Sequence, residues 1–203
     1  MFVCILIAVM HPLTLKLLFT IGVVLSLLTR LPYQREYQKN TFVDNRKTSQ
    51  EKLTLVLIFV GMLLLPFVYM FSSWLNIANY SLPIWVNGLG LITFVIALWL
   101  FWCAHHDLGQ NWSPTLQIRV GHTLISNGVY QHIRHPMYTS VLLWCMAQAL
   151  LLPNWIAGLA GIISFSIAYA TRIGKEEQML LDQFGDEYEA YRQRTKQLVP
   201  YLF

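Results

Sequence analysis

The sequence predicts an all-α, polytopic membrane protein: five transmembrane helices, a cytosolic connector and a C-terminal amphipathic helix. Three observations predict it. Of the 203 residues, 56% are hydrophobic and only 12% are charged, about half the charge of an ordinary soluble domain. Five apolar runs punctuate the chain. The basic residues fall into alternate connections between those runs, as topology signals do.

The length fits one domain, 1–203, with three N-terminal helices over 1–103 and a functional part over 104–203. The first apolar run covers 10–28. No basic stretch precedes it and no small-residue cleavage site follows, so it is read as a retained helix and not a signal peptide. The second, 53–75, carries no charge and at about 1.5 Å per residue reaches across the roughly 30 Å hydrocarbon core. Pro66 lies inside it and is expected to kink it. The third covers 84–103. The fourth (138–152) and fifth (155–171) are short, and Pro153-Asn154 joins them as a tight antiparallel hairpin.

Thirteen of the fourteen Lys and Arg residues sit in three segments: six in 30–52, two in 104–137 and five from Arg172 onward. Lys16 is the exception, and the connections 76–83 and 153–154 hold none. Five spans put every basic segment on one face, which places the N-terminus outside and the C-terminus in the cytosol. The net charge of +4 is then a topology device and implies no nucleic-acid partner. Cys4, Cys103 and Cys145 lie in or beside apolar runs without CxxC spacing, so neither a disulfide framework nor a zinc site is expected. The C-terminal Tyr201-Leu202-Phe203 carries no prenylation signal. From Lys175 to Tyr191 the chain reads as one amphipathic surface helix, with Leu180, Phe184, Tyr188 and Tyr191 on one face and Gly185 inside it.

Two stretches concentrate chemistry. The segment 104–137 is longer than a connector needs and rich in rings and polar groups, among them His105, His106, Asp107, Trp112, His122, Tyr130 and His135. No HExxH and no carboxylate cluster accompany these histidines, so no metal is expected. The second stretch, Arg172 to Glu177, begins where the fifth helix leaves the membrane. The hairpin sets it beside residues 134–138, forming a polar mouth between two helices.

Three blocks then carry a family resemblance: His106-Asp-Leu-Gly-Gln-Asn-Trp-Ser113; Gly121-His-Thr-Leu through Gly128-Val-Tyr to Arg134-His-Pro-Met-Tyr138; and Arg172-x-x-Lys-Glu-Glu through Phe184-Gly-Asp-Glu-Tyr188. In that order they resemble the isoprenylcysteine carboxyl methyltransferase family, in its short prokaryotic, five-helix form. The resemblance runs over 105–200; before that, only hydropathy and helix count match. It implies S-adenosyl-L-methionine as methyl donor and a lipophilic carboxylate on a lipidated cysteine, entering from the bilayer, as acceptor. It implies cofactor contacts at His122, Thr123, Leu124, Ile125, Tyr130, His135, Pro136, Met137, Tyr138 and Glu176, with Gln117 as a further one two residues out of register. It puts Arg172 at the acceptor carboxylate. A prokaryotic inner membrane fits better than the endoplasmic reticulum.

The chemistry suits these residues. A carboxylate of pKa about 4 is ionised at pH 7 and needs no general base, so the task is alignment in a dry pocket. Arginine is a permanently charged, bidentate carboxylate clamp. Glu176, one turn later, suits the amino group of the cofactor's methionine part. Other readings stay open. A phospholipid or small-amine N-methyltransferase would need a base such as His135. An NADPH-dependent membrane reductase, since sterol reductases share a similar C-terminal region, would want a basic group for the 2′-phosphate. A transporter or assembly factor would carry charges within its helices, where Lys16 alone stands.

Overall fold

The computed structural model describes residues 11–200; Cys4, the start of the first apolar run and Tyr201–Phe203 lie outside them. Four helices are long and apolar enough to cross a membrane, and a fifth, shorter apolar helix packs among them, so the chain is a helical polytopic membrane protein. Helix α1 (Pro12–Tyr37) opens with proline at its first position, where the missing N–H costs nothing. Helix α2 (Ser49–Phe71) is capped by Thr48, whose hydroxyl accepts the Glu51 N–H at 3.2 Å. Helices α3 (Ile84–Leu108) and α4 (Pro136–Leu151) follow. Then come α5 (Ala157–Phe184) and α6 (Asp186–Arg194).

Several expectations need correcting. Helix α1 continues past Arg30 to Tyr37, and α3 continues through His105 and His106 to Leu108. Charged and polar side chains mark where a helix leaves lipid, not where its hydrogen bonds stop. For the same reason Arg172–Glu176 does not end the fifth helix: α5 runs on to Phe184, about 42 Å at 1.5 Å per residue. The tail is therefore not one helix from Lys175 to Tyr191. Gly185, at φ +52°, ends α5 and turns the chain into α6, a backbone state that glycine adopts without penalty. The hairpin link is also longer than Pro153-Asn154, since α4 ends at Leu151 and α5 starts at Ala157.

The fold is not purely helical. Strand β1 (Phe42–Asn45) pairs antiparallel with β2 (Gln117–Arg119), tying the first basic connection to the long connector. At the opposite end Asn154 Nδ2 donates to Leu75 O at 2.6 Å and Asn79 Oδ1 at 2.9 Å, and Tyr80 donates to Ala149 O at 2.7 Å. The three basic segments thus share one end of the bundle and the two uncharged connections share the other.

Inside the bundle, Phe19 of α1 stacks on Phe94 of α3 at 5.2 Å between centroids, and Trp144 of α4 meets Phe94 edge-on at 4.8 Å. Gly22 makes room for this, because a Cβ there would strike the Phe94 ring. Close packing of this kind holds helices together where lipid removes the hydrophobic drive. The irregularity in α2 is not a simple kink at Pro66. Residues Val60–Leu64 form a π-helical turn just before it, since proline has no N–H for the carbonyl four residues back.

Candidate functional site

One cavity of about 520 Å³ opens at the basic end of the bundle, within the range of small-molecule sites. Its floor and one wall come from α4 and α5. Pro136 at the first position of α4 fixes the entry of that helix, which sets His135 just before it and Met137 and Tyr138 in its first turn. Tyr138 donates its hydroxyl to Glu176 Oε2 at 2.7 Å. His135 stands between two acids, its Nδ1 3.6 Å from Glu176 Oε1 and its Nε2 3.3 Å from Glu177 Oε1. Burial alone would lower the His135 pKa, but the bonds and charges of Glu176 and Glu177 outweigh it and raise the imidazole above its ordinary 6.5. Arg134 Nε donates to Glu177 Oε1 at 3.0 Å.

The connector forms another wall. Gln117 Oε1 accepts from Tyr37 at 2.6 Å and from Thr115 at 2.8 Å, which orients the amide. His122, Thr123, Leu124 and Ile125 line the cavity beyond it. Burial, with Arg119 adding to it, holds the His122 pKa down to about 4, so this ring is neutral. Tyr130 sits on a short turn (Gly128–Gln131). It is 6% exposed, and burial pushes its phenol well up.

The tail closes over the same place. Tyr191 donates to Tyr130 O at 2.6 Å. The His135 N–H donates to Gln197 O at 3.0 Å, the Arg134 N–H to Lys196 O at 2.7 Å, and Thr139 to Leu198 O at 2.7 Å. Arg134 Nη1 reaches Arg192 O and Thr195 O. The arginine and histidine of the middle block, with Thr139, are thereby locked to the end of α6 and the segment after it.

Of the twelve residues singled out in the sequence, eleven line this cavity. Pro136 does not: it is fully buried and acts on the helix entry instead of on the cavity. Arg172 lines the cavity and donates from Nη2 to Pro114 O at 3.3 Å. The same Nη2 lies 3.4 Å from Glu51 Oε1.

The sequence reading missed the contribution of the N-terminal helices. Ser26, Leu27 and Arg30 of α1 and Leu55, Met62 and Leu63 of α2 also face the cavity. Arg30 stacks over Trp112 at 4.9 Å. Glu51 is 5% exposed and stands behind Arg172. A hydropathy pattern marks these residues only as positions along or at the ends of apolar helices; the strand pairing β1–β2 is what ties the connection between α1 and α2 to the site, and two runs of three or four residues give no periodic signal.

Five buried side-chain polar atoms without a hydrogen-bond partner belong to residues lining this cavity: His105 Nε2, His122 Nδ1, Trp144 Nε1, Arg172 Nε and Tyr188 Oη. Buried polar groups are nearly always bonded, so the wall of this cavity carries an unusual share of polar atoms that the protein leaves unpaired.

Residues 89–182 match the isoprenylcysteine carboxyl methyltransferase family. The chain is 32% identical over 120 residues to protein-S-isoprenylcysteine O-methyltransferase B of Arabidopsis thaliana, covering 58% of this chain and 61% of that one. It is 29% identical over 140 residues to the Homo sapiens protein-S-isoprenylcysteine O-methyltransferase, covering 64% of this chain and 49% of that one. It thus spans between half and three-fifths of the length of these relatives. Among solved structures, it resembles the eukaryotic intramembrane Ras methyltransferase, an isoprenylcysteine carboxyl methyltransferase, solved without a monobody. The TM-score is 0.53 with 26% identity, over 79% of this chain and 55% of that one.

Proposed function

We propose, for a chain that belongs to the isoprenylcysteine carboxyl methyltransferase family over residues 89–182, an S-adenosylmethionine-dependent methyltransferase acting on the carboxylate of an isoprenylcysteine-like lipophilic acceptor at the cytosolic membrane face. The observation that carries this reading is the convergence on one cavity of Arg172 and Glu176 with His135, Met137 and Tyr138. When bound, S-adenosylmethionine would supply an electrophilic methyl group on a sulfonium.

The residues present fit that group. The Glu176 carboxylate, held by Tyr138, suits its amino group. Gln117, His122 to Ile125, Tyr130, His135, Met137 and Tyr138 enclose the remainder. Pro136 supports them through the helix entry. Arg172 lines the same cavity and takes the acceptor carboxylate. That carboxylate arrives ionised, so no side chain has to remove a proton. Arg172 orients it, the tail and connector exclude water, and alignment supplies the acceleration.

The same geometry weighs against an amine acceptor. An amine must lose a proton, and both His135 nitrogens face carboxylates, which favours the imidazolium and leaves no lone pair to act as base. The reading extends the catalytic part beyond 104–203, because α1 and α2 wall the cavity. The shared end of the three basic segments supports a cytosolic site with the N-terminus outside.

The decisive test is a methyl-transfer assay on purified protein with S-farnesylcysteine analogues, fatty acids, phosphatidylethanolamine and small amines. Methyl ester formation on the farnesylcysteine carboxylate is expected. Transfer to amines alone would replace the acceptor assignment.

A further inference from the structure

The Arg172 guanidinium lines the cavity and is held at one nitrogen. Its Nη2 donates to Pro114 O at 3.3 Å and lies 3.4 Å from Glu51 Oε1. Glu51 is itself fixed, because the same Oε1 accepts the Leu116 N–H at 2.8 Å. Glu51 does not line the large cavity; with Arg172, Leu116 and Lys175 it borders a small void of about 10 Å³ beside the arginine, too small for a ligand. It therefore does not stand in the acceptor's place.

A carboxylate 5% exposed at the start of a transmembrane helix is costly unless it is paired. Its second oxygen, Oε2, has no partner, so the site tolerates a further cost to keep the charge. Its bond to Leu116 joins α2 to the connector, and its ion pair joins both to α5. Three elements meet at one acid.

We propose that Glu51 is a positioning residue for methyl transfer, fixing the Arg172 guanidinium at Nη2 so that its remaining N–H groups meet the acceptor carboxylate in line with the methyl donor. This rests on the carboxylate-methylating reading above. Glu51 touches neither reactant. It acts by restricting how Arg172 rotates and by linking that restriction to the connector wall. A guanidinium fixed on one side loses less freedom on binding, which is the advantage of preorganised charge.

The test compares the full-length protein with Glu51→Gln and Glu51→Ala in detergent micelles. Glu51→Gln keeps an oxygen for the Leu116 N–H and removes the charge. Methyl transfer to a farnesylcysteine analogue should show kcat lower by about ten-fold or more, with the acceptor KM within about two-fold, since slight misplacement of a reactant costs one to two decades. Calorimetric binding of S-adenosylhomocysteine should be unchanged, which a general loss of structure would not allow. Equal kcat in wild type and both variants overturns the proposal. A second measurement does not depend on turnover: guanidinium NMR of Arg172, assigned with Arg172→Lys, should show hindered rotation in wild type and faster rotation in Glu51→Gln. Free rotation in wild type overturns the proposal even if the protein methylates nothing. Hindered rotation without any carboxylate methylation would leave the fixed arginine standing and place the error in the acceptor.

Discussion

The Tyr138 hydroxyl donates to Glu176 Oε2 at 2.7 Å, joining the first turn of α4 to the part of α5 at the basic end of the bundle. The two residues are thirty-eight positions apart in the chain, and each lies in a different motif block. Their bond leaves Glu176 Oε1 toward His135 at 3.6 Å, so the carboxylate is oriented from two sides. Glu176→Ala is expected to weaken S-adenosylhomocysteine binding by at least ten-fold in calorimetry, since a charge-assisted bond contributes about 1.5–3 kcal/mol. Tyr138→Phe, which removes one orienting bond to a neutral hydroxyl, should weaken it by only a few-fold. Unchanged affinity in Glu176→Ala would remove the cofactor assignment.

The proposed reading gives Arg172 and Glu176 different partners although one helical turn divides them. Arg172→Ala should abolish methyl transfer to a farnesylcysteine analogue while S-adenosylhomocysteine binding stays within a few-fold of wild type. Arg172→Lys should recover little, because a point charge on a flexible stem cannot reproduce a planar two-donor clamp. Normal turnover in Arg172→Ala would show that the acceptor carboxylate sits elsewhere.

His135 gives a pH dependence of definite sign. Its folded-state pKa lies above the ordinary 6.5 because Glu176 and Glu177 overcome burial. The folded protein therefore holds this proton more tightly than the unfolded chain. The resulting stability is fully present below pH 6.5 and is lost as pH rises through the higher folded value. His122 acts oppositely: burial sets its folded pKa near 4, so stability falls as pH drops from 6.5 toward about 4. Thermal unfolding across pH 4–9 should show both arms. His135→Gln should flatten the alkaline arm and His122→Gln the acidic one; an alkaline arm unaltered in His135→Gln would refute the imidazolium between the two acids.

Much of this site was legible in the sequence, and the reasons differ by residue. Arg172 and Glu176 fall one turn apart on a single helix, so spacing alone placed them together. His135 and Tyr138 were tied to them by the hairpin that follows α4. Glu51 was not legible. It precedes an apolar run as any helix-starting acid does, and its partner lies in a segment more than a hundred residues away. The extent of α5 was misread because charge was taken as an end signal, when Gly185 carried the actual stop. The ribbon β1–β2 is too short to show alternation. Without it nothing in the sequence brings Arg30 or Met62 to the cavity.

Gly128 occupies φ +57°, and a Cβ there would collide with the Asp107 carboxylate. That carboxylate accepts the Val129 N–H at 2.8 Å from Oδ2, fixing the turn that presents Tyr130. Gly128→Ala combines backbone strain with a displaced acceptor and should cost about 1–3 kcal/mol. It should lower the thermal midpoint and weaken S-adenosylhomocysteine binding together, whereas Gly174→Ala, at a helical glycine with open space around it, should leave the thermal midpoint unchanged or slightly raise it.

The π-helical turn in α2 places a stringent demand on one side chain. In lipid no water is available to a released carbonyl, and Gly61 O accepts from no side chain of its own helix. Gln148 of α4 supplies the donor: its Nε2 reaches Gly61 O at 2.9 Å and Ala157 O at 2.7 Å. Gly61 itself must be small, because a Cβ would strike Ser164 and the Ala160 carbonyl of α5. Gln148 thus binds α2, α4 and α5 at a point 0% exposed, on the side of the bundle that supports the cavity wall formed by Met62 and Leu63. Gln148→Leu keeps the volume and removes both donors, so it should lower stability by about 1–2 kcal/mol, read as a shift in thermal midpoint in detergent. Because the released carbonyl lies next to Met62, the acceptor KM should rise while cofactor affinity holds. A Gln148→Leu protein as stable as wild type would mean that the π-turn satisfies its own backbone and needs no partner helix.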